Sequence, residues 1–289
     1  IFLEGIMKLD FLAKKQFGLI GCPLGHSMSA VIHKELFKIS KMDANYMLIE
    51  VPTEELKETF DSRLKNLCGF NVTIPHKINI IPFLDRLSPK ASLFGSVNTV
   101  DVREDKIIGY NTDCSGFLRA LEMAGIELKG KVLLCGAGGV SRMIAFESVL
   151  ANCDLTIAVR QSSLQSANTI KDEIRQKLGR DCRVAMLDEI SGGYDLIVNG
   201  TPVGMYPKID ACPVAEDVIK SSKAVYDVIY NPIKTKLIQC AESAGIKCSG
   251  GLSMLVWQAA VAEEIWNGVK FSYDDINKVI AVTERELSK

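Results

Sequence analysis

Val132-Leu133-Leu134-Cys135-Gly136-Ala137-Gly138-Gly139-Val140-Ser141-Arg142 is an apolar run that ends in glycines and opens into a helix-forming segment. Strand, glycine turn and helix in that order are the first half of a βαβ unit. Glycine admits the tight turn and lets phosphates approach the backbone closely, while the first-turn amides and the helix dipole attract an anion. Gly136 and Gly138 match the first two glycines of G-x-G-x-x-G; Ser141 stands at the third, and Gly139 is extra. The alternative for these residues is a bare structural turn.

Outward from this stretch, short Val- and Ile-rich runs alternate with helix-period segments over most of the chain, the pattern of parallel strands joined by crossover helices. Downstream, strands are expected at Leu155–Val159, Leu196–Val198 and Val225–Ile229, with a helix near Gln165–Leu178. Together these describe a doubly wound unit. Upstream, Phe17–Ile20, Tyr46–Val51, Phe70–Ile74, Val97–Val102 and Ile107–Thr112 read as strands, and Ser29–Ile39, Glu54–Leu67 and Asp113–Ala124 as helices, with Gly125 as a left-handed stop. After Gly250-Gly251, two amphipathic helices, Ser253–Asn267 and Tyr273–Leu287, close the chain and are expected to pack back on its first part. The expectation is an α/β protein of two domains, residues 7–110 with 253–289, and 111–252.

The chain has 289 residues, which a prior of one domain per ~150 residues makes about two domains. Lysine and arginine number 34 against 35 acidic residues, so no bulk field draws a nucleic acid or an anionic bilayer. No apolar run approaches the ~18 residues a spanning helix needs. The 9 cysteines are odd in number and form no C-x-x-C pair, which argues against disulfide scaffolds and zinc ribbons and for a reducing cytoplasm. The start shows no secretory leader, and Ile1 to Ile6 are given no weight in the fold.

Cofactor choice is read at the end of the next strand, where an acidic residue ~20 positions on would bind a ribose 2′-hydroxyl. Here the strand ends Ala158-Val159-Arg160, and a guanidinium in place of a carboxylate suits a 2′-phosphate, hence NADP. The alternative is a solvated surface arginine.

Four polar clusters lie at strand ends in the first part. Gly21-Cys22-Pro23-Leu24-Gly25-His26-Ser27-Met28-Ser29 places two hydroxyls two residues apart, as helix caps or as ligand groups. Asn71-Val72-Thr73-Ile74-Pro75-His76-Lys77 puts Asn71 and Thr73 on one strand face and Lys77 beyond the strand's carboxyl end. Ser96-Val97-Asn98-Thr99 and Asn111-Thr112-Asp113 add amides and a carboxylate, Asp113 also suiting a helix dipole. His26, His33 and His76 show no metal-ligand spacing, so packing and hydrogen-bonding roles are expected for them and no metal site.

In order along the chain, G-x-P-L-x-H-S-x-S, N-V-T-x-P-x-K, V-N-T, N-T-D, G-A-G-G, N-x-T-P-x-G-M (Asn199 to Met205), Y-N-P-x-x-T (Tyr230 to Thr235) and G-G-x-x-M-L-x-x-Q (Gly250 to Gln258) resemble the shikimate dehydrogenase family. The resemblance runs from about Phe17 to Gln258. It implies a substrate domain completed by C-terminal helices, a Rossmann-type NADP domain, and reversible reduction of 3-dehydroshikimate to shikimate in aromatic amino acid biosynthesis. By motif, Ser27 and Ser29 would bind the substrate carboxylate, and Asn71, Thr73, Lys77, Asn98, Asp113 and Gln258 would surround the ring hydroxyls, with Tyr230 in reach. Lys77 and Asp113 would be the catalytic pair. Gly136, Ala137, Gly138, Gly139, Val140, Arg160, Thr201, Met205 and Gly251 would hold the cofactor.

The pair's chemistry can be argued on its own terms: reducing a ketone adds a hydride to carbon and a proton to oxygen, a task for a cation that steadies the alkoxide. The sequence departs from the family pattern in three places. Ser29-Ala30 replaces Ser-Pro, Lys34 follows His33 where Asn is frequent, and Val159-Arg160-Gln161 replaces Asn-Arg-Thr with Leu164 at a second arginine's place. Two alternatives share the scaffold: an NAD-dependent quinate/shikimate dehydrogenase, and a non-catalytic sensor of shikimate-like ligands, which would have no need of a proton relay. The expected partner is a small molecule, with no nucleic acid or membrane, and the chain a monomer or homodimer.

Overall fold

The computed structural model describes residues 14–25 and 27–289. His26 and the expected domain start at Met7 lie outside the described residues. Backbone contacts divide the chain into two units, one running to Thr112 and including Ala259–Asp275, the other Asp113–Gln258 with Ile276–Lys289. The first change of unit falls two residues from the expected 110/111 boundary. The tail differs more: only Ala259–Asp275 groups with the first unit, where the whole of 253–289 was expected to.

The first unit contains β1 (Lys15–Gly21), α1 (Ser29–Ser40), β2 (Ala44–Glu50), α2 (Leu56–Ser62), β3 (Gly69–Val72), α3 (His76–Asn79), β4 (Arg86–Leu87), α4 (Pro89–Phe94), β5 (Thr99–Arg103) and β6 (Lys106–Tyr110). Its sheet has the order β2-β1-β3-β5-β6-β4. β1 pairs parallel with β2 and β3, as a βαβ crossover dictates, but β5 is antiparallel to both β3 and β6. The all-parallel expectation fails here because only Glu104-Asp105 separates the paired residues Arg103 and Lys106, and a two-residue link joins only antiparallel strands.

Other boundaries moved for local reasons. The expected helix Glu54–Leu67 is broken into a 3₁₀ turn, α2 and a second 3₁₀ turn, Leu64–Asn66. Ser62 Oγ donates to Glu58 O, and Asn66 Nδ2 to Ser62 O, side-chain bonds that compete with the helix ladder. Val97 stays out of β5 because its amide turns to Lys77 O, while Asn98 N still donates to Tyr110 O of β6. The core packs Ile20, Val51, Leu64, Phe70, Ile80 and Val100 under one part of the sheet, and Phe17, Phe37, Ala262 and Trp266 in a second cluster. Trp266 Nε1 donates to Val100 O at 2.9 Å. A Cβ on Gly69 would lie 2.3 Å from that nitrogen, so glycine is what lets the indole lie against β3.

The second unit opens with α5 (Asp113–Met123), whose Gly125 stop has φ +63° as expected. There follow β7 (Lys131–Cys135), α6 (Gly139–Leu150), β8 (Asp154–Val159), α7 (Leu164–Leu178), β9 (Arg183–Met186), β10 (Leu196–Asn199), α8 (Glu216–Lys220), β11 (Ala224–Asp227), α9 (Lys236–Ser243) and β12 (Lys247–Ser249). All are parallel, in the order β12-β11-β10-β7-β8-β9. This is the doubly wound dinucleotide-binding order, reversing between β7 and β10 at the end of the glycine stretch. The edge strands β9 and β12 are four and three residues long, too short to show a period. α10 (Leu252–Asn267) runs from this unit into the first, and α11 (Tyr273–Leu287) ends the chain.

Candidate active site

The first unit's candidate residues collect at the carboxyl ends of β1 and β3. Met28 occupies the N-cap of α1, and the cap makes no side-chain bond. Neither Ser27 nor Ser29 is the N-cap residue; their hydroxyls bond each other at 3.2 Å, and Ser27 Oγ also accepts from Ser29 N, the first amide of α1. β3 stops at Val72, and Thr73 continues the pairing through one bond to Ile20 O before Pro75 opens α3, where Lys77 lies half-buried. Lys77 O accepts from Val97 N at 2.8 Å, tying α3 to the segment that carries Asn98.

Asn71 and Asn98 are buried amides with nearly every polar atom engaged. Asn71 Oδ1 accepts from Tyr46 Oη at 2.6 Å, and its Nδ2 donates to Asn98 O and to Thr99 Oγ1. Asn98 Nδ2 donates to Thr112 Oγ1, and its Oδ1 accepts from Thr112 N at 2.6 Å. Thr99 and Thr112 share a hydroxyl bond at 3.0 Å, which closes the network. Asp113, the next residue, opens α5 in the second unit. Tyr46, Thr99 and Thr112 hold these two amides and are not among the residues expected from sequence to form the site. The two threonines sit inside quoted motifs, whereas Tyr46 carries no motif signal. Burial, followed by the Glu263 charge, holds the Tyr46 phenol well above its ordinary pKa, so it remains a donor.

The two described histidines make the hydrogen bonds expected of them: His76 Nε2 with Val51 O and His33 Nδ1 with Glu263, each at 2.6 Å. Among the described residues, no group of three or more histidine, cysteine, aspartate or glutamate residues could hold a metal ion.

In the second unit the glycine stretch forms an exposed cradle. Gly138 caps α6 with no side-chain bond, and a Cβ on Gly138 or Gly139 would meet no atom within 4 Å. The space that close approach of a phosphate needs is thus open in front of the first-turn amides, with Ala137 and Val140 half-exposed beside it. Gly136 has φ +106°, and a Cβ there would strike Thr201 Cγ2 at 2.8 Å. Ser141 Oγ donates to Gly200 O at 3.1 Å, filling the third-glycine position with a link between α6 and the β10 loop. Arg160 is exposed just past β8.

The N-x-T-P-x-G-M loop is held from within. Thr201 donates through both N and Oγ1 to Asn199 Oδ1, and its Oγ1 accepts from Val203 N, so Thr201 shapes the loop that exposes Met205. Beneath it, Asp227 accepts from Asn199 Nδ2, Ile229 N and Thr235 Oγ1, joining the β10 and β11 loops. Burial outweighs these bonds and pushes its carboxyl up to about 6. Gly251 N donates to Ile229 O, and a Cβ there would lie 2.1 Å from Val228 O, so only glycine fits. Tyr230 is half-buried, and Gln258 Nε2 donates to Leu255 O on α10.

Strand order, glycine cradle and exposed arginine define a Rossmann-type dinucleotide-binding protein whose chain carries a second α/β unit built around buried amides, hydroxyls and a lysine. The chain is 39% identical over 263 residues to the shikimate dehydrogenase (NADP(+)) of Methanocaldococcus jannaschii, covering 89% of this chain and 92% of the relative. It belongs to the shikimate dehydrogenase family. Family models described as the shikimate dehydrogenase substrate binding domain and the shikimate 5′-dehydrogenase C-terminal domain match residues 19–100 and 251–280. A crystal structure of a shikimate dehydrogenase in complex with NADP+ superposes with a TM-score of 0.87 at 36% identity, over 96% of each chain. Shikimate 5-dehydrogenase from Thermus thermophilus, in complex with NADP(H) and shikimate, gives 0.83 at 30% identity over 93% of this chain and 99% of that one.

Proposed function

We propose that this chain catalyses the reversible NADPH-dependent reduction of 3-dehydroshikimate to shikimate, in the cytoplasm, for aromatic amino acid (chorismate) biosynthesis. The observation that carries the reading is the closed Tyr46–Asn71–Asn98–Thr112 network beside Lys77, which presets two amides against polar substrate groups. Buried polar groups held this way are pre-organised, and Asn71 Oδ1, with one lone pair on Tyr46, keeps its second to accept from a ring hydroxyl.

Ser27 and Ser29 take the carboxylate; Asn71, Thr73, Asn98, Asp113 and Gln258 take the ring hydroxyls, with Tyr230 bordering the ligand. Gly136, Ala137, Gly138, Gly139 and Val140 cradle the pyrophosphate, Arg160 meets the 2′-phosphate, and Thr201, Met205 and Gly251 shape the nicotinamide side. Bound NADPH supplies the hydride. The Lys77 ammonium donates a hydrogen bond to the carbonyl oxygen as negative charge develops there and delivers the proton that completes the alcohol. Asp113 orients that ammonium and a neighbouring ring hydroxyl. In the oxidative direction the lysine, deprotonated, takes the proton back. The chain acts on its small-molecule substrate as a monomer or homodimer.

The test follows nicotinamide absorbance with shikimate and quinate, each with NADP+ and NAD+. Turnover greatest with shikimate and NADP+ is the expected result. Absence of turnover in every combination would sink the reading in favour of a non-catalytic binder.

A further inference from the structure

Glu263 and His33 are buried at 1% and 0% side-chain exposure, with Oε1 and Nδ1 2.6 Å apart. Withdrawing a carboxylate from water is costly unless it is paired, and an apolar pair of similar volume commonly packs as well or better. The hydride and proton transfer described above uses neither group. Both belong to the first unit.

The carboxylate is fixed from two sides. His33 Nδ1–H donates to Oε1, while Oε2 accepts from Asn267 Nδ2 at 2.8 Å. Asn267 Oδ1 in turn accepts from Lys15 Nζ at 3.1 Å. The other imidazole nitrogen, His33 Nε2, is buried and has no hydrogen-bond partner among the described residues. Among the described residues, Glu263 is therefore the polar group that sets the ring's rotation. That ring lies flat against Tyr46, centroids 4.0 Å apart and planes 10° apart, with Trp266 tilted at 5.6 Å. The Tyr46 hydroxyl donates to Asn71 Oδ1 at 2.6 Å.

We propose that Glu263, acting through His33, is a positioning residue for the substrate pocket: it fixes the imidazole face on which Tyr46 rests and so holds the phenol oxygen on Asn71 Oδ1. The proposal rests on the functional reading above, in which Asn71 binds substrate. Glu263 itself touches no reacting atom, and its influence falls on substrate affinity, with NADP+ affinity unaffected.

The experiment is a double-mutant cycle on steady-state constants with Glu263→Ala, Tyr46→Phe and the two combined. Glu263→Ala is expected to raise the shikimate KM tenfold or more with the NADP+ KM within twofold. The double variant should be no worse than the poorer single one. Glu263→Gln, whose amide oxygen still accepts from His33 Nδ1–H, should return the shikimate KM to within about threefold of the starting value. An unchanged shikimate KM in folded Glu263→Ala, fully multiplicative effects in the double variant, or equal loss of affinity for both ligands would each overturn the proposal. If Glu263→Ala does not fold, His33→Leu with Glu263→Met, which leaves no unpaired buried charge, takes its place in the cycle. A wild-type chain that turns over no shikimate would overturn the functional reading itself, and this proposal with it.

Discussion

Lys77 sits in the second position of a four-residue helix, just past the proline that ends the β3 segment. A lysine so placed has little to recommend it in isolation, since most lysines are solvated. Its backbone bond to Val97 and the network through Asn71 and Asn98 give it a context that spacing alone could not supply. Lys77→Ala is expected to lower kcat by roughly 10²–10⁴-fold, the range for a lost general acid. NADP+ binding, measured by fluorescence titration, should be retained. A variant with unimpaired turnover would remove Lys77 from the chemistry. Thr201 shows the opposite lesson: its motif suggested a ligand group, and its hydroxyl is spent on Asn199 and Val203.

At the scale of elements, the ends of β10 and β11 are tied through one carboxylate. Asp227 accepts bonds from both loops and from Thr235, the N-cap of α9, so its protonation state bears on the loop that presents Met205. Its folded pKa, about 6, lies above the ordinary carboxylate value. A raised folded pKa means that the folded state binds the proton more tightly. The contribution to stability is present in full below the unfolded value, near ~4, and is lost as pH rises through about 6. That loss amounts to about 3 kcal/mol. Denaturant unfolding of wild type and Asp227→Asn from pH 4 to pH 7 should therefore show the wild type losing about 2 kcal/mol relative to the variant, since part of the loss precedes pH 4. Parallel stability curves would exclude Asp227 as the titrating group. The sequence placed a strand, Val225–Ile229, and a Y-N-P motif here; it did not show that Asp227, within that strand, holds two loops together.

Across the whole molecule, near-zero net charge leaves recognition of anions to a few placed groups. Arg160 is the test of that arrangement. At about one hundred times its Kd, NADP+ should stabilise the protein by about 2.7 kcal/mol, read as a rise in melting temperature. In the proposed role of Arg160 at the 2′-phosphate, Arg160→Ala should weaken NADP+ by roughly 10–100-fold with little change for NAD+. An unaltered preference would place the specificity elsewhere. Both units were legible as α/β, because apolar runs of strand length and helix-period segments each report their own burial. The antiparallel β5–β6 insertion and the sharing of α10 between units were not, since both depend on which distant segments meet.

The sequence alone determined the Rossmann-type unit, the glycine cradle and the order of polar motifs, because backbone conformation, strand burial and anion binding at a helix start are local properties of residue type and spacing. Tertiary structure alone decided that Tyr46 reaches Asn71, that Asp227 fastens two loops, and that Glu263 and His33 meet 230 positions apart beneath a tyrosine ring. Those are pairings of buried polar groups, and a buried group's partner is chosen by whatever the fold brings within about 3 Å of it, which no local pattern encodes.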